Sequence, residues 1–168
     1  CIIGWLKFQK VMTHFAGRLA FRVQWHPFEL NPDMPPEGED AAAHVMRKYG
    51  ITAEQSRANS SKMAEVAAGL GFAFNRGPGF QMRNSFDAHR LLTWAGALEE
   101  PGQTAATGVQ TALKLALFTA HFTDNRDVSD HMVLADVAAS VGLDRARAQS
   151  ILASGEVCEM VRSEEADW

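Results

Sequence analysis

One short stretch of this chain alternates, while nearly everything around it runs with the period of a helix. Leu19, Phe21, Val23 and Trp25 are separated by Ala20, Arg22, Gln24 and His26. A period of two places the four larger apolar side chains on one face of a strand over 18–26, and Pro27 ends its regular pairing. A lone strand cannot satisfy its own backbone groups, and each buried unpaired amide costs about 1–3 kcal/mol. Even a two-stranded hairpin is marginal by itself. The strand therefore needs partners that lie outside residues 1–168 or on another chain. The reading is of a sheet-containing fold whose other strands are not in this sequence.

The remaining segments read as helices. Ile2, Trp5, Leu6, Phe8, Met12 and Phe15 recur at steps of three and four, predicting a helix over 1–16 with Gly17 as its stop. Three prolines in 31–40 enforce a loop. Helices are expected at 40–49, ended by Gly50, and at 52–69, opened by a Thr52/Gln55 capping box. Phe72 and Phe74 sit in a glycine-rich loop as a short extended piece. Asn84 or Ser85 caps a helix that Pro101-Gly102 breaks, and a longer one takes 103–122. Further helices run through Val133 to Val141 with Gly142 as the stop, from Asp144 onward, and over 156–168. A mainly helical chain with one principal strand is the expectation.

Composition removes several classes of function. Sixteen Lys and Arg against twenty Asp and Glu leave a formal charge of −4, which suits no general nucleic-acid binder. No run of about 18 apolar residues is present, so no helical membrane span is expected. Cys1 and Cys158 are too few for a disulfide framework. The six histidines form no His-x3-His pair and none lies within four residues of a cysteine, so no metal site is expected. Gly77-Pro78-Gly79 lacks the Lys-Ser/Thr ending of a phosphate loop. The chain opens on Cys1 rather than Met and reads as an internal piece of a longer protein, with no leader visible.

Chemistry concentrates at Cys1, which begins the first amphipathic helix. The N-terminus of a helix carries roughly half a positive charge and favours a thiolate there. The competing role is a small buried residue at a helix start. Cys158 reads as an inert, half-buried residue; a Cys1–Cys158 disulfide is a matter of geometry.

Four segments carry a family resemblance. Cys1-Ile2-Ile3-Gly4 is similar to the second half of a Cys-Pro-Trp-Cys-x-Ile-Gly active-site turn. Trp25-His26-Pro27-Phe28-Glu29-Leu30-Asn31-Pro32, Asn84-Ser85-Phe86-Asp87-Ala88-His89-Arg90-Leu91-Leu92 and Phe122-Thr123-Asp124-Asn125-Arg126-Asp127-Val128-Ser129-Asp130 follow in order. Together they resemble the DsbA/FrnE-like thiol–disulfide oxidoreductases of the thioredoxin superfamily. The resemblance implies a thioredoxin-like α/β fold with a large helical insertion. It divides the chain into 1–30 (the N-terminal part of the thioredoxin-like core), 31–140 (the helical insertion) and 141–168 (a helix returning to the core). The strand before the active site, the first cysteine of the pair, and the later cis-proline loop, strands and helix would lie outside the chain. Cys1 would be the second, resolving cysteine of a CxxC pair.

The resemblance further implies a groove over Cys1, lined by the helical insertion. Asn84, His89 and Phe80 are its candidate residues, with Phe72 and Phe74 beside Phe80. The competing roles are a helix cap for Asn84 and a hydrogen bond to a neighbouring turn for His89. Expected partners are protein or small-molecule thiols and disulfides, with no cofactor, no nucleic acid and no membrane; a homodimer is compatible, and the location expected is cytoplasmic. One alternative is a glutathione-dependent isomerase or transferase of the kappa-like, 2-hydroxychromene-2-carboxylate isomerase type, where glutathione would enter. The other is a non-catalytic helical binding module.

Overall fold

The computed structural model describes residues 1–99 and 108–167. Its helices are α1 (Ile2–His14), α2 (Ala41–Tyr49), α3 (Ala53–Ala68), α4 (Phe86–Ala97), α5 (Val109–Phe118), α6 (His131–Ser140), α7 (Arg145–Ala153) and α8 (Cys158–Ala166). After α5 the chain tightens into one π-type turn over Thr119–Thr123, closed by Asp124 N–H donating to the Thr119 carbonyl at 3.0 Å.

The ends of these helices follow from their capping residues. Thr52 and Gln55 exchange both bonds of the capping box at the start of α3. Asp40, Asp130 and Asp144 each accept backbone N–H groups from the first turns of α2, α6 and α7. Gly50 closes α2 in the left-handed region. At the end of α6, Leu143 N–H reaches the Ala138 carbonyl and Gly142 N–H that of Ala139, a Schellman closure. The helix expected over 103–122 is described only from Val109; residues 103–107 and the Pro101-Gly102 break lie outside the described residues.

The strand expected over 18–26 is not formed. The strands are instead β1 (Glu39–Asp40) and β2 (Gln81–Met82), antiparallel, with Glu39 opposite Met82 and Asp40 opposite Gln81. Phe72 and Phe74 lie in a loop segment without regular secondary structure. The physical reason for the first difference is the missing partner. Residues 20–29 hold no helix, and no neighbouring segment among the described residues offers a backbone ladder. The alternation survives as burial: Phe21, Val23 and Trp25 are half-buried, and Arg22 and Gln24 are exposed. Leu19, meant for the same apolar face, is 56% exposed.

The main core lies among α4, α5, α6 and α7. Leu91, Leu113, Leu134 and Ile151 meet there, each fully buried. Fully burying such side chains stabilises by roughly 1.5–3 kcal/mol each. Val161 carries α8, which packs on α4.

Candidate active site around Cys1

Cys1 is the N-cap residue of α1, and its carbonyl accepts from Trp5 N–H at 3.0 Å. Its side chain makes no capping bond, and the first turn of α1 holds no acidic residue. The side chain is exposed, and both Cys1 and Cys158 are free thiols. An exposed thiol facing the positive end of a helix dipole is placed for nucleophilic chemistry.

One turn into α1, Trp5 is buried and packs on Trp25, with ring centroids 4.9 Å apart. The indole N–H of Trp25 donates to Thr111 Oγ1 on α5 at 2.6 Å. Lys114 follows one turn later, its ammonium 5.3 Å from the Trp25 ring centroid and 5.5 Å from that of Phe118. Both lie within the range of a cation–π contact. Only 9% of Lys114 is exposed, and burial pushes its pKa down to about 8. His89 on α4 is held down to about 4 by burial first and by Lys114 second, against a bond to the backbone of Phe28. His89 therefore lies within the electrostatic reach of Lys114 and is neutral near pH 7.

The other groove candidates are placed differently. Asn84 Nδ2 donates to the Met34 carbonyl at 2.8 Å, and its Oδ1 accepts from Phe86 N–H at 2.9 Å. It ties the start of α4 to the proline-rich loop, while Ser85, the N-cap residue, makes no side-chain cap. Phe80 is 4% exposed and packs against His121, with ring centroids 4.9 Å apart. It also walls a cavity of about 90 Å³ with Ser56, Ser60 and Arg76. Phe72, Phe74, Phe122 and Phe118 form a continuous row with successive centroids 5.4, 4.8 and 6.1 Å apart. That row ends at the ring beneath Lys114.

Sequence reasoning passed over three residues. Lys114 carried a readable signal, because Gln110, Leu113 and Leu117 share its helix face and are all buried. Thr111 carried none. Arg90 lies inside the 84–92 segment, and its role is visible only in three dimensions. Its guanidinium donates to the Leu152, Ser154 and Glu156 carbonyls at 3.4, 2.5 and 3.0 Å, and to that of Ile151. Asp87 holds it from α4 at 2.7 Å and also binds His131 at 2.8 Å. Much of the 84–92 segment thus serves as scaffold, and His89 is its residue within reach of Lys114.

Among the described residues no group of His, Cys, Asp and Glu is arranged to hold a metal ion, and no helix is long and apolar enough to cross a membrane.

The model of the DSBA-like thioredoxin domain matches residues 1–167. The crystal structure of a probable DsbA oxidoreductase from Streptomyces coelicolor is similar to this chain, with a TM-score of 0.86 and 28% identity. That similarity covers 99% of this chain and 68% of the other. No curated protein matches. With the match extending from Cys1 almost to the last residue, the chain belongs to the DSBA-like thioredoxin domain family.

Proposed function

We propose that this chain is the helical part of a thiol–disulfide oxidoreductase in which Cys1 is the second cysteine of a CxxC pair. The observation that carries this reading is the placement of Cys1, an exposed free thiol at the N-cap of α1. Membership of the DSBA-like family supports it, as does the likeness to a protein titled a probable DsbA oxidoreductase.

In the proposed reaction the thiolate of the upstream cysteine attacks a substrate disulfide. It forms a mixed disulfide and releases one substrate thiolate. The Cys1 thiolate then attacks the upstream sulfur, closes the intramolecular disulfide and expels the second substrate thiolate. Two electrons pass from the CxxC pair to the substrate, and the released thiolates take protons from solvent. The reverse sequence oxidises a dithiol substrate. Disulfides or dithiols of proteins and small molecules are the proposed substrates.

The test is redox equilibration of the intact protein, with its upstream residues, in glutathione buffers of stepped ratio. Alkylation and peptide mass mapping then read the state of each cysteine. A disulfide linking Cys1 to the cysteine three positions upstream, formed and broken reversibly, is the expected result. A Cys1 that stays a free thiol across the series would remove it from the exchange. Ser-Pro in place of Cys-Pro upstream, with glutathione-dependent turnover, would favour the isomerase reading.

A further inference from the structure

We propose that the cavity between the start of α2, the middle of α3 and the turn at 77–79 binds the carboxylate of a molecule no larger than a small amino acid. The proposal is independent of the exchange reading of Cys1.

Arg76 supplies the charge. It lines the cavity with its guanidinium over the rings of Phe80, at 4.9 Å, and Phe122, at 6.0 Å. Among the described residues it forms no ion pair and no hydrogen bond. The protein thus desolvates part of this side chain, which lowers its pKa, and offers its donors no acceptor. A planar carboxylate matches the guanidinium fork and can take two of its N–H groups together.

Further donors border the same space. Ser56, 5% exposed, and Ser60, one turn later on α3, both line the cavity. Neither hydroxyl has a hydrogen-bond partner among the described residues. A serine inside a helix commonly bonds the carbonyl one turn back. Here the Thr52 carbonyl takes the Ser56 backbone N–H at 2.9 Å, and the hydroxyl stays open. At the start of α2, Ala41 N–H donates to the Phe80 carbonyl at 2.9 Å, and Ala43 N–H to Asp40 Oδ1 at 2.9 Å. Ala42, between them and on the cavity wall, keeps its N–H unpaired among the described residues. A positive helix end, a guanidinium and two hydroxyls therefore converge without an anion.

Volume and charge narrow the ligand. A cavity of about 150 Å³ holds benzene, so about 90 Å³ suits a group of acetate size. Asp40 also lines the cavity and already places one negative charge on its wall. That opposes a phosphate dianion more than a monocarboxylate. It also offers a place for the ammonium of a free amino acid. Ala42 and residues 77–79 are exposed, so the cavity opens to solvent there.

The test is an NMR titration of the intact protein with sodium acetate, glycine or sodium phosphate, at constant ionic strength set by sodium chloride. Saturating shifts are expected at the Ala42 and Ser56 amides and the Arg76 Nε–H. The dissociation constant should be about 1–10 mM, as suits a ligand of so few atoms. Glycine binding more tightly than acetate would assign an amino acid with its ammonium at Asp40; the reverse order would assign a simple carboxylic acid. Arg76→Gln should weaken either ligand at least about tenfold, and Ser56→Ala should weaken it to a similar degree. Three results would overturn the proposal: no saturation at these residues in wild type, phosphate binding more tightly than both probes, or an unchanged constant in a folded Arg76→Gln protein.

Discussion

Arg90 is the residue on which the packing of the last two helices turns. It is 3% exposed, and its donors go to the carbonyls that end α7 and lead into α8. It thereby ties the buried end of α7, at Ile151 and Leu152, to the exposed turn at Ser154 and Glu156 that leads into α8. Val157, in the left-handed region at φ 68°, sits just beyond the bonded stretch. That conformation is costly for a β-branched residue and persists where its surroundings fix it. Arg90→Ala should lower unfolding stability by about 3 kcal/mol, as for the loss of several charge-assisted bonds, two of them to the buried Ile151 and Leu152 carbonyls. Chemical denaturation measures it; a loss below about 1 kcal/mol would contradict the role. Lys114 has the opposite sign. Lys114→Met removes a buried cation without an ionic partner among the described residues and should raise stability by roughly 1–3 kcal/mol. A rise in the denaturant midpoint checks this, and a fall would contradict it.

At the level of elements, legibility followed whether the signal was local. The Thr52/Gln55 box, the Gly50 stop and the Asp144 cap were readable because each is decided within one helical turn. The alternation at 19–25 was also read correctly as a pattern, yet it made no strand, because a ladder depends on a second segment. The strands that do form, Glu39–Asp40 and Gln81–Met82, are two residues long and carry no periodic signal. Their pairing leans instead on Gly38, at φ 79°, where an added Cβ would lie 2.3 Å from the Met82 carbonyl oxygen. Gly38→Ala should therefore cost about 1–3 kcal/mol and speed amide exchange at 39–40 and 81–82. Unchanged protection there would show that the loop tolerates the side chain. The site was legible only in part. Cys1 and His89 stood out by residue type and motif, whereas Lys114 was hidden in an Ala- and Leu-rich helix and became visible through Trp25.

On the scale of the whole molecule, the thioredoxin-like fold is represented here by its mostly helical portion. The core joining α4 to α7 shares the chain with the buried His89 and the half-buried His121. His89 and His121 both have pKa values lowered from 6.5 to about 4, chiefly by burial. Between those limits the unfolded chain binds protons that the folded chain does not. The contribution is fully present above about pH 6.5 and is lost as pH falls toward 4. Stability should decline over that window by a few kcal/mol in total, on the order of 1.4 kcal/mol per unit of pKa difference at the limit. Denaturant midpoints at pH 7 and pH 5 measure this, and His89→Gln with His121→Gln should flatten the slope. A wild-type midpoint that does not move between those pH values would contradict the burial of neutral imidazoles.

The role assigned to Cys1 is most directly tested by trapping. The intact protein with Cys1→Ser, purified from cells without reductant, keeps the attacking cysteine and lacks the thiol that releases the mixed disulfide. It should carry adducts that dithiothreitol removes, visible as higher-mass bands on a non-reducing gel and absent from wild type. An adduct-free Cys1→Ser protein that still turns over a model disulfide at the wild-type rate would contradict the resolving role of Cys1.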